Sequence, residues 1–164
     1  MKSSILVVGG AGYIGSHMAK MLAQSSHEVI VMDNLSTGFR DAARYGRLIE
    51  GDLADQALLD RIFAEDDIAA VLHFAALSQV GESMREPARY YRNNVANTQN
   101  LLDAMLRHHV RASSSPLPRR YLASQKALSS MSNIPSAPSI PTVAANAWWK
   151  KCWRITTALT GCAP

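Results

Sequence analysis

Three glycines near the N-terminus have the spacing of a phosphate-binding turn. Gly9, Gly12 and Gly15 stand three residues apart, between a short β-branched apolar run and a helical pattern that begins at Tyr13. In a strand–turn–helix of this kind, one glycine makes the tight turn, one lets a pyrophosphate approach the backbone, and one lets the helix pack on the strand. The helix N-terminus then presents free N–H groups and positive dipole to the phosphates.

A carboxylate follows where this chemistry needs one. Residues 28–32 (EVIVM) predict a second strand, which ends at Asp33. An acid roughly 20 residues past the glycines accepts hydrogen bonds from the adenosine ribose, and it repels the extra phosphate of NADP. The predicted cofactor is therefore NAD. The alternative is that Asp33 only caps a helix, in an α/β domain that binds no phosphate.

The elements that position these residues alternate between strands and helices. Strands are predicted over residues 5–8, 28–33, 48–51 and 70–76, and helices over 13–24, 40–45, 56–64 and 86–109. Residues 78–83 are predicted as a loop. This order predicts an α/β fold, an incomplete Rossmann-like doubly wound parallel sheet with strand order 3-2-1-4. The NAD-binding domain is expected to occupy residues 1–110.

Ligands of open parallel sheets bind outside the carboxyl ends of the strands. At the C-terminal end of the fourth strand, Ala75 and Ala76 leave room for the pyrophosphate and the nicotinamide ribose, while Phe74 packs below them. His73 is interpreted as a structural histidine.

Two further polar positions leave alternatives open. Asp52 follows the third strand and either caps the next helix, contacts the adenine, or does both, with capping favoured. In the long helix, Asn93 or Asn94 contacts the cofactor, or these side chains are simply solvated.

Composition changes abruptly near residue 111. Residues 1–110 carry 10 basic and all 13 acidic side chains, a net charge of −3, whereas the rest carries seven basic side chains and no acid. Six of the 7 prolines, all 3 tryptophans and both cysteines (Cys152, Cys162) also lie beyond the break. Residues 111–164 therefore predict a mostly irregular, basic, Ser/Pro-rich tail, with a short helix around residues 144–155. Without this tail's contribution, the fourth strand is expected to be an exposed edge.

Other features restrict the class of protein. No apolar run has membrane-spanning length, and the N-terminus shows no signal-peptide pattern, so a cytoplasmic location is expected. The cysteines suggest neither a disulfide framework nor a metal site.

Five motifs in order resemble the extended short-chain dehydrogenase/reductases, in the NAD-dependent epimerase/dehydratase group, over about residues 3–110. They read GGAGYIGSH, VMDNLSTG, EGDLAD, LHFAALSQVGES and EPARYYRNNVANT. The loop VGESMREPARYYRNN resembles the UDP-glucose 4-epimerases more than their dehydratase relatives.

The resemblance implies a fold, an activity and a set of site residues. It implies tightly held NAD that takes hydride from C4 of a UDP-hexose and returns it to the other face, and it implies a homodimer built from two helices per subunit. Only one of those helices is predicted here, which argues against a dimer. Together with the glycines, the positions implied to contact NAD are Tyr13, Ile14, Asp33, Asn34, Leu35, Asp52, Leu53, Phe74, Ala75, Ala76, Ser78 and Asn93. Ser78 stands where a lysine often occurs.

The resemblance stops before the family's catalytic Tyr-x-x-x-Lys. After residue 110, Tyr121 has Gln125 at the lysine position, and Lys126 is one residue too far. No catalytic residue is therefore predicted.

A shifted reading frame accounts for this tail. Codons built from the third base of one residue and the first two of the next permit Val-Phe-Ser-Ser-Thr-Ala-Ala over 113–120 and Asn-Pro-Tyr-Gly-Arg-Ser-Lys over 139–146. In the same frame, the codons of residues 148–150 permit only one sequence, Val followed by Glu. The family's strand end and its Tyr-x-x-x-Lys would thus appear in order.

Two other functions are weighed against an inactive NAD-binding fragment. A working enzyme would need Tyr90, Tyr91 or Tyr121 as proton acceptor, and no matched lysine accompanies them. A nucleic-acid binder would use the basic tail and its tryptophans, but the charges are scattered, so this role is not favoured.

Overall fold

A parallel sheet is the centre of the first of two compact units. The computed structural model describes residues 3–25, 27–110 and 112–114, and this unit holds those up to Ala76 and from Gln99 onward. The strands lie in the order β3-β2-β1-β4-β5, so the predicted order 3-2-1-4 is confirmed. They are β1 Ser4–Val8, β2 Glu28–Asp33, β3 Arg47–Glu50, β4 Ile68–His73 and β5 Ala112–Ser114.

The fifth strand lies where the sequence predicted an edge. Ala112–Ser114 pairs in parallel with residues 70–72 of β4, whose other side pairs with β1. The expectations that irregular structure begins near residue 111 and that β4 is an exposed edge are therefore wrong for these three residues. The short helix predicted within the tail, near residues 144–155, lies outside the described residues.

Helices cover the sheet much as the periodicity predicted. They are α1 Tyr13–Gln24, a 3₁₀ turn Arg40–Ala43, α2 Gln56–Glu65 and α5 Asn97–Arg107. The middle strands β1 and β2 are apolar on both faces, as buried parallel strands are, and Val7 and Val31 are fully buried. On one face they pack with Ala19 of α1 and with Ala43.

The second unit contains the described residues 77–98. It comprises α3 Val80–Arg85, α4 Pro87–Tyr91 and a π-helical turn Arg92–Ala96, after which α5 begins. The loop predicted over 78–83 is therefore wrong from Val80 onward. The long helix predicted over 86–109 forms with Pro87 in its first turn, but a π turn interrupts it. Among the described residues, no helix has both the length and the apolar character needed to cross a bilayer.

Candidate functional site

Two of the three glycines are required by close contacts between backbone segments. Gly9 has φ of 76°, and a Cβ there would lie 2.6 Å from the backbone nitrogen of Ala75. A Cβ on Gly15 would lie 2.2 Å from the carbonyl oxygen of Gly9. Gly9 therefore makes the tight turn against the end of β4, and Gly15 lets α1 pack directly on that turn.

Gly12 has a different environment. The only described atom near its added Cβ is the Gly9 carbonyl oxygen, at an ordinary 3.4 Å. Gly12 is the N-cap of α1 and has no side chain to engage the first N–H groups of the helix. Tyr13 and Ile14 beside it are 83% and 60% exposed. Among the described residues, the N-terminus of α1 thus faces open space, which suits an anionic phosphate.

The Asp33 carboxylate joins the glycine turn to the loop after β2. Its Oδ2 accepts the N–H of Ala11 at 2.9 Å, and its Oδ1 accepts the N–H of Leu35 at 2.8 Å. The next helical segment is the 3₁₀ turn that begins at Arg40, and its N-cap is Phe39. The alternative in which Asp33 caps a helix is therefore wrong. Each carboxylate oxygen retains lone pairs for further donors such as ribose hydroxyls.

Ala11 and Gly38 belong to the same arrangement, and sequence reasoning missed their role. The N–H of Phe39 donates to the Ala11 carbonyl at 3.1 Å, and a Cβ on Gly38 would lie 2.9 Å from Ala11. Leu35, at φ of 55°, turns the chain back toward the glycine turn. A glycine five residues after the Asp33 carboxylate was the signal available in the sequence, but its contact partner was not.

Asp52 and Asn34 form a pair at the neighbouring strand ends. The Asn34 amide nitrogen donates to Asp52 Oδ2 at 2.6 Å, and the N–H of Ala54 donates to Asp52 Oδ1 at 2.8 Å. The cap of α2 is instead Asp55, whose side chain accepts the N–H of Leu58 at 3.0 Å. The favoured reading of Asp52 as a helix cap is therefore wrong.

Leu53, next to this pair, is buried. The amide nitrogen of Asn100 on α5 donates to the Leu53 carbonyl at 3.1 Å. The Leu53 backbone is thereby held in place from the helix behind it.

The end of β4 approaches the glycine turn. β4 stops at His73, three residues earlier than predicted, and the N–H of Phe74 donates to the Val8 carbonyl at 2.7 Å. Phe74 packs against the core as predicted. Burial lowers the pKa of His73 from 6.5 to about 4, so it is neutral, and its Nδ1 accepts the N–H of Ala75 at 3.4 Å. Ala76 is exposed.

The remaining predicted contacts lie in the second unit. Ser78 is exposed and Asn93 is half-buried in the π turn. Asn94 is buried and bonds to the backbone of Leu77 at 2.8 Å through both its amide atoms. Of the two asparagines that the sequence left open, Asn94 is thus engaged by the protein itself.

Tyr90 does not suit the proton acceptor of the alternative enzyme. It is fully buried, and its hydroxyl donates to Glu82 Oε2 at 2.7 Å. Burial and the Glu82 carboxylate raise the pKa of Tyr90, whereas a tyrosine base needs a lowered pKa. Tyr91 is 44% exposed, and Tyr121 lies outside the described residues.

In the first unit, the arrangement fits one half of a dinucleotide. An open helix N-terminus suits phosphates, the Asp33 carboxylate follows at the end of β2, and the Asn34–Asp52 pair follows at the end of β3. Because β1, β2 and β3 are parallel neighbours, their carboxyl ends lie together and these groups lie next to one another. Nucleotides bind at this end of the strands in open α/β folds.

Comparison with known proteins agrees with this geometry. Residues 5–124 match the profile of the NAD dependent epimerase/dehydratase family. The chain is 50% identical over 101 residues to a UDP-glucose 4-epimerase of Rhizobium leguminosarum bv. trifolii, covering 62% of this chain and 31% of that protein. It is 49% identical over 108 residues to that of Halalkalibacterium halodurans, covering 66% and 32%.

A solved structure shows the same fold. The UDP-glucose 4-epimerase of Brucella ovis in complex with NAD has a TM-score of 0.81 at 36% identity, over 97% of this chain and 49% of that one. This chain thus spans about a third of the length of the curated relatives that it matches.

Proposed function

The chain belongs to the NAD dependent epimerase/dehydratase family, and on that premise we propose that residues 1–110 are the NAD-holding part of a UDP-glucose 4-epimerase. In the whole enzyme, this part would serve the interconversion of UDP-glucose and UDP-galactose. The relatives that support this substrate are UDP-glucose 4-epimerases at 50% and 49% identity.

The observation that carries the proposal is the contrast among the three glycines. A Cβ on Gly9 or Gly15 would meet backbone atoms at 2.6 Å and 2.2 Å, whereas a Cβ on Gly12 would have no atom of the described residues closer than 3.4 Å. Packing therefore explains Gly9 and Gly15 but leaves Gly12 unexplained. A ligand that approaches the backbone at Gly12, such as a pyrophosphate, supplies the missing reason.

The chain's own residues would bind and orient the cofactor. When bound, NAD supplies a reversible hydride acceptor for C4 of the sugar. The N-terminus of α1 at Gly12, Tyr13 and Ile14 would hold the pyrophosphate, and Asp33 would accept the ribose hydroxyls. Asn34, Leu35, Asp52 and Leu53 would line the adenosine, and Phe74, Ala75, Ala76, Ser78 and Asn93 the nicotinamide half.

We further propose that this chain does not catalyse epimerisation alone, because residues 111–164 are encoded out of frame. The register of β5 supports this. Ser113 stands opposite Val71, which is fully buried, and the strands of all-parallel sheets, which are covered on both faces, are normally rich in Val, Ile and Leu. The shifted frame permits Val-Phe before the serines, which would meet that requirement.

Thermal unfolding of the full chain tests the cofactor proposal. A ligand that binds only the folded state stabilises it, by about 2.7 kcal/mol at a hundred times its Kd. We expect NAD to raise the Tm and NADP to raise it less at equal concentration. An unchanged Tm with saturating NAD would contradict the proposal.

Two further measurements test the inactivity. We expect no interconversion of UDP-glucose and UDP-galactose by the purified chain, and a missing or extra base in the coding DNA near codon 111. Measurable turnover, or an unbroken frame in which the family's catalytic sequence never follows, would contradict this part.

A further inference from the structure

Asn94 holds the backbone of a residue seventeen positions earlier. Its Oδ1 accepts the N–H of Leu77 at 2.8 Å, and its Nδ2 donates to the Leu77 carbonyl at 2.8 Å. Because an N–H only donates and a carbonyl only accepts, this pairing fixes which way the Asn94 carboxamide faces. With 2% of Asn94 exposed, neither bond is readily exchanged for one to water.

Asn94 in turn orients its neighbour. The amide nitrogen of Asn93 donates to Asn94 Oδ1 at 2.8 Å. Since that oxygen only accepts, Asn93 must present its nitrogen and not its oxygen to it. The constraint therefore runs from the Leu77 backbone through Asn94 to Asn93.

The backbone around Asn94 departs from an ordinary helix. Residues Arg92–Ala96 form a π-helical turn between α4 and α5. π-helical turns are rare, but those that occur are often found at functional sites. One inserted residue changes which side chains lie on the same face of the helix. The turn here holds two consecutive asparagines whose side chains are bonded to each other.

The segment that Asn94 holds leads directly into α3. Gln79 is the N-cap of α3 and makes no side-chain cap hydrogen bond. A second tie holds α3 to α4, since the buried Tyr90 hydroxyl donates to Glu82 at 2.7 Å. Ser78, between Leu77 and this helix, is exposed. Ser78 therefore lies between two hydrogen-bonded positions, Leu77 and Glu82, and its own side chain is exposed.

We infer that Asn94 is a positioning residue, which fixes the backbone of residues 77–79 and the carboxamide of Asn93 so that Ser78 and Asn93 are already arranged before NAD binds. This inference rests on the proposed function, which assigns NAD contacts to Ser78 and Asn93. Its physical content is preorganisation, since a segment ordered in advance loses less conformational freedom on binding.

The test uses the full chain with Asn94→Asp and the matched control Gln99→Glu. Both changes are isosteric and add one negative charge to the same stretch of helix, but Gln99 is exposed. In Asn94→Asp, Oδ1 can still accept the Leu77 N–H, but an oxygen replaces the nitrogen that donates to the Leu77 carbonyl, and repulsion between these two oxygens should displace the Leu77 backbone and weaken both bonds. We expect hydrogen exchange of the Leu77 amide to accelerate at least about tenfold and NAD affinity to fall about tenfold, roughly one step of 1.4 kcal/mol. Gln99→Glu should change neither.

The outcomes separate this inference from the proposed function. If the wild-type chain does not bind NAD, the proposed function fails, whereas the exchange measurement still reports on Asn94. Fast exchange of the Leu77 amide in the wild type without NAD would overturn the inference, even if Asn94→Asp fails to fold. Accelerated exchange with unchanged NAD affinity would overturn the inference as well, because the hydrogen bonds between Asn94 and Leu77 would then stabilise the fold without preparing the NAD site.

Discussion

Asp33 accepts the backbone N–H of Ala11 through Oδ2 at 2.9 Å, so the carboxylate at the end of β2 is tied to the middle of the glycine turn. Its other oxygen accepts the N–H of Leu35 at 2.8 Å. One side chain thus shapes both the loop proposed for the phosphates and the loop proposed for the adenosine. A substitution at Asp33 should therefore affect folding and cofactor binding together.

Asp33→Asn should destabilise the chain by about 1–3 kcal/mol, because an amide nitrogen would replace one acceptor and leave a backbone N–H facing a donor. It should also weaken NAD binding and reduce the preference for NAD over NADP. Urea unfolding and NAD titration measure both effects. Asp41→Asn removes the same charge from an exposed residue and should stay within about 0.5 kcal/mol of wild type. Equal effects at both positions would contradict the bridging role.

Gly15→Ala should destabilise the fold by about 1–3 kcal/mol or more, because the new methyl group meets the Gly9 carbonyl and the turn must move. The added Cβ would lie 2.2 Å from that oxygen. Gly81 in α3 is the control, since no atom in the described part of the chain lies within 4 Å of an added Cβ there, and Gly81→Ala should stabilise by about 0.5–1 kcal/mol. Chemical denaturation compares the two. A Gly15→Ala chain as stable as wild type would show that α1 does not pack directly on the turn.

Gly12→Ala should separate binding from folding. Gly12 has φ of −78° and ψ of 172°, which alanine adopts without strain. The methyl group would enter the space proposed for the pyrophosphate. We expect the free energy of unfolding to fall by no more than about 1 kcal/mol, because alanine is a poorer N-cap than glycine, and NAD affinity to fall at least about tenfold, or 1.4 kcal/mol. Unfolding curves and isothermal titration check these two results. Undiminished affinity would place the phosphates elsewhere.

The sequence predicted well where a period and a turn signal coincide. The bounds of α1 and the order of the first four strands follow from apolar runs and from glycines placed between them. Asp33 was recognised because a strand end and a fixed distance from the glycines both point to it. These patterns involve residues that are close together along the chain, so they can be recognised in a single sequence.

What the sequence missed depends on partners that are distant along the chain. Asp52 follows a strand as a capping residue does, but its partner is Asn34, eighteen residues earlier. Similarly, no sequence pattern near Asn94 predicts that its side-chain amide bonds to the backbone of Leu77. The π turn interrupts an apolar pattern that continues on both sides of it, so periodicity alone predicts one uninterrupted helix.

The strand β5 is the opposite case, because it forms despite its composition. Ala112–Ser114 has neither branched nor aromatic residues, yet it pairs along β4. The C-terminus of α5 directs the chain there. The Val110 N–H donates to the Met105 carbonyl at 2.9 Å, and His109 adopts φ of 59°, which closes the helix with a left-handed residue. Position in the sheet, and not propensity, thus sets this strand.

His73 should make stability depend on pH in a definite direction. Burial lowers its pKa from 6.5 to about 4 in the folded chain. Between these values the unfolded chain binds a proton that the folded chain does not, so stability falls as the pH is lowered from 6.5 to 4. The loss should reach about 3 kcal/mol, at 1.36 kcal/mol per pKa unit, and should not grow below pH 4.

His73→Asn keeps an acceptor near the Ala75 N–H but cannot take up a proton, so its stability should fall less over the same pH range. Exposed His27, replaced in His27→Asn, is the control and should follow the wild-type pH dependence. Urea unfolding at pH 7, 6, 5 and 4 gives the three curves. Parallel curves for wild type and His73→Asn would mean that His73 takes up its proton at its ordinary pKa, and the end of β4 would then be open to water beside the glycine turn.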